Sequence, residues 1–345
     1  MAGIESFDIE VNAALERLIS ETPAVTALAT ENSVNAVKTH KNTVDNMENT
    51  ILQSKENNIC KENESRDGAV NPHKTAKISE CDAGTPRIIS LASGSRANCT
   101  LIDGGDTRIL IDFGLSCRML ESFLKKYGLS ISDINAVFIT HEHADHVYGL
   151  GTFFKKYGIP VHMTEPSYLA YTRKAGFEYR DKITVHEVEY SMEIGGFTVS
   201  SCEVCHDSAA CVSYLVEGYG TSFCTCTDLG FMPERVFNHV SRAENVIIES
   251  NHDVTMLETG EYPYELKRRI RSRSGHLSND QCDDVIPRLV NAGVRRILLG
   301  HISPENNSPK LALDAAKRAL GEAVDRVEYI AVAPRLEPIV LLGDE

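Results

Sequence analysis

Six consecutive residues, His141 to His146, constrain this chain more than any other part of its sequence. They read "HEHADH" and hold three histidines and two acids, in a protein with 12 histidines among 345 residues. They follow the apolar run 136–140, which predicts a buried strand. Beyond such a strand the chain enters a loop, the usual place for ligand chemistry in α/β folds. We therefore expect a metal-binding loop at the end of a strand.

The spacing divides this loop into two half-sites for adjacent metal ions. In an extended loop His141 and His143 point the same way, whereas Asp145 and His146 lie where a helix begins and face the cavity from another side. Neither half-site is complete, so more ligands are needed. Each further candidate follows an apolar strand: His206, Asp228, which could bridge two ions, and His301. Alone, each is more often a turn or capping residue, but the set favours a metal site.

Strand and helix patterns alternate from residue 87 onward. Strands are predicted in RIISLAS, CTLIDGG, TRILIDFG, INAVFIT, IPVHMT, KITVHEV, FTVSSCEV, CVSYLVEG, TSFCTCTD, NVIIES and RRILLGHIS. Helices are predicted in CRMLESFLKKYGL, VYGLGTFFKKYG, DQCDDVIPRLVNAG and SPKLALDAAKRALG. Glycine and aspartate turn signals between the first three strands predict a meander of hairpins. Strand-rich halves interrupted by helices indicate an α/β sandwich with helices on its outer faces.

The first part of the chain has a different character. Residues 1–84 are expected to form an extension, and 85–345 a catalytic domain. A helical pattern spans Asp8 to Ser20, as a docking peptide or a loosely attached helix. From Glu31 to about Thr85 the sequence is rich in Asn, Lys, Glu and Ser and nearly free of aromatics. Such a segment buries too little apolar area to offset the entropy of ordering it, which predicts a disordered linker.

Composition excludes several classes of protein. No apolar run approaches the ~20 residues of a membrane helix, and the acidic N-terminus resembles neither a signal nor a transit peptide, so we expect a cytoplasmic protein without a membrane partner. The ten cysteines are expected to be reduced. Cys202 with Cys205, and Cys224 with Cys226, could hold zinc, but small apolar residues on buried strands are the preferred interpretation. Because the net charge is −14, we expect the chain to bind a polyanion only at a local basic patch.

The order of these motifs resembles the metal signature of the metallo-β-lactamase fold, an αββα sandwich. That signature is H-x-H-x-D-H followed by a later His, a later Asp and a last His. The similarity is stronger to the YycJ/WalJ-type subfamily, through "SLASGS", "NCT", "ILIDFGLS", "FITHEHADH", "ESNHD", "LKRRI", "GHLSN" and "HISPENN", and covers about residues 87–340. One departure, Arg96-Ala97 where the family usually has a Gly, concerns the conformation of that loop and not the metal site.

The resemblance implies a role for each ligand. One metal ion would be bound by His141, His143 and His206, and a second by Asp145, His146 and His301, with Asp228 bridging. Asp112 matches an acidic motif that orients ligands, although a turn acid is an equal alternative. An all-nitrogen-and-oxygen set admits Zn, Mn or Fe, so we expect two divalent ions, Zn or Mn with Fe as a further option.

The predicted metal site does not identify the substrate, because a bridging hydroxide formed near neutral pH can hydrolyse a lactam, a thioester or a phosphodiester. Many β-lactamases of the fold have a cysteine at the position of Asp228, and a di-iron oxygen-reducing relative would have Glu at His143. Both positions argue against those activities. A thioester or small-ester hydrolase of the glyoxalase II type shares all seven ligands and stays an alternative. A binding module with a dead site is a weaker one, since no ligand position is missing.

The run "ELKRRIRSRSGHLSND" favours a phosphodiester. Five of its residues are cations within seven positions: Lys267, Arg268, Arg269, Arg271 and Arg273. Guanidinium groups meet phosphate oxygens bidentately, although charge runs are usually solvated helix faces. We therefore expect these residues, with Ser278 and Asn279, to contact substrate.

His276 follows the basic run directly. Ribonuclease Z-like relatives have a histidine of this kind upstream of the last ligand, so His276 is the predicted catalytic residue, acting as a general acid or as a donor to oxygen. Glu249 and His252 are expected to brace His276 or the ligands, with helix capping as an equal alternative. The sequence thus predicts a metal-dependent phosphodiesterase, and the YycJ/WalJ resemblance implies an exonuclease with DNA as its nucleic-acid partner.

Overall fold

The structure is a computed structural model that describes residues 86–176 and 180–344. The predicted extension, residues 1–84, lies outside these ranges, and its division from the domain stays a prediction. The strands are β1 (Arg87–Ala92), β2 (Cys99–Asp103), β3 (Arg108–Ile111), β4 (Ala136–Phe138), β5 (Val161–Thr164), β6 (Ile183–His186), β7 (Ser191–Ile194), β8 (Phe197–Val204), β9 (Cys211–Gly218), β10 (Thr221–Cys226), β11 (Asn245–Glu249), β12 (Arg296–Gly300), β13 (Tyr329–Val332) and β14 (Ile339–Leu342).

The helices of the described ranges connect or flank these strands. They are α1 (Cys117–Lys126), α2 (Ala144–Val147), α3 (Leu150–Lys156), α4 (Glu165–Ala175), α5 (Glu234–Val240), α6 (Val254–Thr259), α7 (Tyr264–Ile270), α8 (Asn279–Ala292) and α9 (Pro309–Leu320). Two 3₁₀ turns span Ile131–Asp133 and Gly321–Arg326. None of the helices in the described residues has both the length and the apolar character of a bilayer span.

The first sheet has the strand order β14-β1-β2-β3-β4-β5-β6. Strands β1, β2 and β3 pair antiparallel, which confirms the predicted meander, and β3 to β6 pair parallel. The register places Ile88 opposite Ile102 and Ile102 opposite Ile109. Their neighbours Leu101 and Leu110 face the other side of the sheet, and all five side chains are buried. Both faces of this sheet are therefore covered, as a parallel arrangement requires.

The second sheet has the order β13-β12-β11-β10-β9-β8-β7. Strands β7 to β10 pair antiparallel, and β10 to β13 pair parallel. Its inner face meets the first sheet in a buried cluster that includes Phe138, Tyr214 and Phe223. The Tyr214 hydroxyl also donates a hydrogen bond of 3.1 Å to the Ile139 carbonyl, which joins the two sheets. This layer of side chains is the centre of the sandwich.

Helices cover the two outer faces. In α1 the buried residues Cys117, Leu120 and Leu124 recur at helical spacing and pack with the outer face of the first sheet. Helix α8 buries Ile286 and Leu289 in the corresponding cluster on the second sheet. The αββα sandwich is confirmed.

The described cysteines are free thiols. Cys202, Cys224 and Cys226 are buried in the outer cluster of the second sheet, as small apolar residues would be. Cys205 is exposed instead. The potential metal-binding groups found among the described residues contain His, Asp and Glu and no cysteine.

Candidate metal centre

The seven residues expected to bind metal lie at one edge of the sandwich, at the ends of strands. His141 and His143 follow β4, Asp145 and His146 belong to α2, and His206 lies between β8 and β9. Asp228 and His301 follow β10 and β12. Parallel strands end at the same edge of their sheet, so residues far apart in sequence meet there.

Three histidines form the first group. The ligand atoms of His141, His143 and His206 all lie within 4.8 Å of one another. His206 Nε2 is 3.3 Å from His143 Nδ1. On its other side, His206 Nδ1 donates to the Gly275 carbonyl at 3.2 Å. That hydrogen bond leaves the Nε2 lone pair of His206 free for a cation.

Asp145, His146 and His301 form the second group. Asp145 Oδ2 lies 3.3 Å from His146 Nε2 and 3.5 Å from His301 Nε2. The other ring nitrogens are held by acids: His146 Nδ1 donates to Asp112 Oδ2 at 2.8 Å, and His301 Nδ1 donates to Glu249 Oε1 at 2.9 Å. Both imidazoles thus turn Nε2 towards Asp145, as carboxylate-oriented ligands do.

Asp228 lies between the two groups. Its Oδ2 is 3.3 Å from His146 Nε2, and its Oδ1 is 3.4 Å from His301 Nε2 and 3.8 Å from His206 Nε2. The side chain therefore has one oxygen close to nitrogens of both groups. This is the geometry that a bridging carboxylate needs.

Three of these ligand atoms have no hydrogen-bond partner within the described residues: His141 Nε2, Asp228 Oδ2 and His301 Nε2. All three are buried, and a buried polar atom left unpaired costs about 1–3 kcal/mol. An imidazole lone pair and a carboxylate oxygen can both bind a metal cation. The residues present therefore fit a divalent metal ion.

The backbone is strained at the same edge. Asp112, Asp228 and His301 have φ values of 64°, 59° and 53°, in the left-handed region that a residue other than glycine rarely adopts. Asp112 and His301 come directly after β3 and β12, and Asp228 lies two residues after β10; such a turn costs on the order of 1–3 kcal/mol. Three of the four described non-glycine residues with such a φ are therefore two candidate ligands and Asp112, and the fourth is Tyr219.

Burial and charge act in opposite directions on Asp228. Burial alone would raise the pKa of its carboxyl, but the charges of His301 and His146 outweigh that effect and hold the pKa well below its usual range. For His141 the effects add, because burial and the charge of His146 both lower the pKa of its imidazole. Asp228 is thus held as a carboxylate and His141 as a neutral ring. In the absence of metal, burial would lower the pKa values of His146 and His301, but Asp112 and Asp228 respectively raise them, so metal binding at those two rings releases protons.

Glu249 joins the candidate catalytic residue to the ligands. It is fully buried, and its Oε1 accepts hydrogen bonds from His276 Nδ1 at 2.8 Å and from His301 Nδ1 at 2.9 Å. Its Oε2 accepts from the backbone N–H groups of Leu229 at 3.1 Å and Leu277 at 3.2 Å. Burial would raise the pKa of Glu249, but the charge of His276 and these hydrogen bonds lower it to about 2. The His276 side chain stays 17% exposed, so it is open to a substrate.

Asp112 and His252 differ in how they contact the site. Asp112 accepts hydrogen bonds from the Thr140 backbone, from the Thr140 hydroxyl and from His146. His252 is buried, and burial lowers its pKa to about 4. Its carbonyl accepts the Asn279 N–H at 2.8 Å. Within the described residues its Nδ1 has no partner, so its clearest contact is with the segment after His276.

The five cations of the basic run lie in or just after α7, and most contact acids of this chain. Arg268 pairs with Glu265 at 2.8 Å, Arg271 with Glu258 at 2.7 Å, and Arg269 with Asp207. These pairs are largely exposed, and exposed ion pairs are weak enough to exchange partners for phosphate. The other two make different contacts: Lys267 donates to the carbonyls of Glu258 and Gly260, and the guanidinium of Arg273 lies 3.8 Å from the ring centre of Phe231.

Ser278 and Asn279 are buried and hydrogen bonded within the fold. Ser278 caps α8, forming a capping box with Gln281. Asn279 accepts from the Ser250 hydroxyl at 2.8 Å and donates to the Asn307 side chain at 3.1 Å. The expected contact of Ser278 and Asn279 with substrate stays a prediction, and the burial of both side chains does not favour it.

Two residues at the site were not singled out from the sequence for a role there. Asn98 donates to Asp145 Oδ2 at 3.0 Å, and Thr140 contacts Asp112, His141 and His146. Asn98 stands in the "NCT" motif, which was used only to establish the resemblance. Thr140 ends the apolar run before the histidines, and a hydroxyl at the end of a buried strand could have suggested its role.

Comparisons with known proteins agree with this geometry. The sequence profile of the metallo-beta-lactamase superfamily matches residues 93–260. The chain is 33% identical over 232 residues to exodeoxyribonuclease YycJ of Bacillus anthracis, covering 67% of this chain and 88% of that protein. It is 34% identical over 246 residues to exodeoxyribonuclease WalJ of Streptococcus pneumoniae strain D39, covering 69% and 91%. The solved structure of the metallo-beta-lactamase fold protein YhfI from Bacillus subtilis superposes with a TM-score of 0.54 at 16% identity, covering 74% of this chain and 99% of that one.

Proposed function

This chain belongs to the metallo-β-lactamase superfamily, and we propose that it is a metal-dependent phosphodiesterase that degrades DNA as an exonuclease. One observation carries the proposal: seven His and Asp side chains lie together, and three of their buried ligand atoms have no hydrogen-bond partner within the described residues. The Glu249–His276 pair lies beside them. Two relatives that the chain matches over most of their length are exodeoxyribonucleases, which supports DNA as the substrate. A DNA substrate agrees with a cytoplasmic location, which is part of the proposal.

The chain's own side chains would hold two divalent ions. We assign His141, His143 and His206 to one ion, Asp145, His146 and His301 to the other, and Asp228 to both. Such ions, when bound, polarise a phosphodiester and lower the pKa of bound water. Zn and Mn both suit this set of nitrogen and oxygen ligands. Asp112 and Glu249 orient His146 and His301, so that each imidazole offers Nε2 to its ion.

His276 has the chemistry of a proton donor. Burial would lower the pKa of its imidazole, but the charge of Glu249 and the hydrogen bond to it raise that pKa above the usual value. Because Nδ1 is engaged by Glu249, the remaining ring nitrogen can donate to a phosphoryl or leaving oxygen. Its ring stacks on that of His301 at 5.1 Å, which places it beside the candidate ligands.

Arg269 is connected to a candidate ligand through the acid with which it pairs. Its partner, Asp207, follows His206 directly, and Asp207 Oδ1 lies 3.4 Å from His206 Nε2. A phosphate at the metals could therefore compete with Asp207 for this guanidinium. Arg268 and Arg271 have exposed side chains that pair with exposed acids, so they can attract the rest of a strand.

A panel of labelled oligonucleotides tests the proposal. Apo-protein reloaded with Zn or Mn is mixed with single- and double-stranded DNA and RNA, each labelled at the 5′ or the 3′ end. We expect stepwise shortening of DNA from one end, and its loss in a chelator. A glutathione thioester is tested in parallel. Rapid thioester hydrolysis by a protein that leaves every oligonucleotide intact would refute the proposal in favour of the glyoxalase II-type alternative.

A further inference from the structure

A pocket of about 290 Å³ opens beside the segment 141–148, which carries four of the seven candidate ligands. Its wall includes Glu142, which lies between the candidate ligands His141 and His143, and Val147, which follows His146. The opposite wall comes from α4, through Lys174 among others. The volume is at the lower end of the ~300–1,000 Å³ range of small-molecule sites, so it suits one nucleotide unit and not a duplex.

The carboxyl group of Glu142 is incompletely satisfied. The residue is 6% exposed, and its Oε1 accepts a hydrogen bond of 3.0 Å from the Ala209 N–H. Its Oε2 is buried and has no hydrogen-bond partner in the described part of the chain. A buried carboxylate oxygen requires a donor, and Glu142 is part of the pocket wall. The occupant must therefore present an N–H or O–H group, because an anion there would be repelled.

Two further side chains of the pocket fit a nucleotide. Tyr148 is 71% exposed although it is a large aromatic residue, and it lies two positions after His146. Exposed aromatic rings of this kind are where single-stranded nucleic acids stack their bases. Lys174 is an exposed cation suited to a phosphate. An amino donor, a flat ring and an anion are the features that this combination recognises, and a nucleotide has all three.

We propose that this base pocket (Glu142, Val147, Tyr148 and Lys174) holds one nucleobase of the DNA strand, next to the phosphodiester at the metal centre. The base stacks on Tyr148, its amino group donates to Glu142 Oε2, and Lys174 binds a neighbouring phosphate. The inference rests on the proposed exonuclease function and assigns part of its substrate specificity to residues outside the ligand set.

The hydrogen-bond partner at Glu142 implies a base preference. Cytosine has a donor, the N4 amino group, where thymine has an acceptor, O4. A cytosine can satisfy Glu142 Oε2, whereas a thymine in the same position leaves two acceptors facing each other. We therefore expect kcat/KM to be about tenfold higher for oligo-dC than for oligo-dT, the effect of one hydrogen bond to a charged group.

The test uses the full-length, metal-loaded protein with end-labelled oligo-dC and oligo-dT of equal length. In Glu142→Gln the amide oxygen can keep the Ala209 N–H, which turns the amide NH₂ into the pocket as a donor. The dC to dT ratio of kcat/KM should then fall about tenfold or invert. Metal content by elemental analysis shows whether the neighbouring ligands are intact. If Glu142→Gln loses metal, the base pocket is judged from the dC to dT ratio of the wild-type protein and from the KM values of the tyrosine variants.

Tyrosine and lysine variants test the other two contacts. Tyr148→Ala should raise KM about tenfold on both oligonucleotides through lost stacking, and Tyr148→Phe should retain the wild-type KM. Lys174→Ala should raise KM and reduce its salt dependence. Arg173→Ala is the matched control, because Arg173 is the exposed cation before Lys174 and is not part of the pocket wall.

The possible outcomes separate the two proposals. Equal rates on dC and dT, or a Tyr148→Ala variant with the wild-type KM, would overturn the base pocket while exonuclease activity remains. A wild-type protein that cleaves no DNA overturns both. The base pocket is supported when Tyr148→Ala raises KM, wild type prefers dC and a metal-replete Glu142→Gln loses that preference.

Discussion

Glu249 is the residue whose change should most clearly separate the roles of the two histidines it holds. In Glu249→Gln, one of two fully buried carboxylate oxygens becomes an NH₂ group. Four N–H donors point at this carboxylate: His276 Nδ1 and His301 Nδ1 on Oε1, and the Leu229 and Leu277 backbone on Oε2. An amide has one acceptor oxygen, so at least one pair of donors must face its NH₂ group.

The magnitude follows from these contacts. Hydrogen bonds to a charged group contribute about 1.5–3 kcal/mol each, so the loss of two should destabilise the metal-free protein by roughly 3–6 kcal/mol. Loss of the carboxylate that orients a ligand typically costs 10–100-fold in metal affinity. If His276 is a proton donor held by Glu249, kcat should also fall by about 10²–10⁴-fold in the metal-saturated variant.

The assay measures metal affinity by calorimetric titration of apo-protein, and kcat on labelled DNA at saturating metal. Glu244→Gln is the matched control, because Glu244 is an exposed glutamate directly before β11, the strand that ends in Glu249. A Glu249→Gln protein with wild-type metal affinity and wild-type kcat would refute the reasoning. Weaker metal binding with an unchanged kcat at saturation would refute only the role of His276.

Four further predictions test the remaining assignments. Asp228→Ala should lose most of its bound metal and all hydrolysis. Asp112→Ala should lose less metal and less activity, because Asp112 contacts the site only through His146 and Thr140. Elemental analysis that finds two metals per chain in Asp228→Ala would exclude a bridging role for Asp228. His276→Ala should keep its metal and lower kcat by about 10²–10⁴-fold, whereas a change confined to KM would argue for a binding role. The logarithm of DNA affinity should fall against the logarithm of salt concentration with a slope of roughly −2 to −3, and the triple change of Arg268, Arg269 and Arg271 to Ala should flatten it. A chain starting near Thr85 should melt and cleave like the full-length protein, and an insoluble truncation would show that the first segment docks on the domain.

The interior and edge strands of this fold differ in how well local sequence patterns predict them. Strands such as β3, β4 and β12 are short apolar runs followed at once by polar residues, so both their existence and the position of the site were predictable. Strands β13 and β14 were not predicted, because each has four residues and most of them are half-buried. Helix α4 was missed as well: its buried residues are Ser167, Tyr168 and Tyr171, a set too polar to produce a clear apolar stripe.

Ser278 and Asn279 show where proximity in sequence is misleading. They follow a basic run and a candidate catalytic histidine, and for that reason we expected them to bind substrate. The segment Ser278–Gln281 is also S-x-x-Q, the pattern of a helix capping box, and the structure has Ser278 in that role. The capping pattern was visible in the sequence and predicts a structural role on a firmer physical basis than adjacency does.

The hydrogen bonds around Glu249 could not have been predicted in this way, because their partners are 20 to 52 residues apart in sequence. What brings them together is the parallel pairing of β10, β11 and β12, which aligns three strand ends at one edge. Asp228, Glu249 and His301 come from those three consecutive ends. A change in β11 that altered its register by one residue would turn Glu249 to the opposite face and separate it from both histidines. The position of His276 relative to the candidate ligands therefore depends on the register of the second sheet.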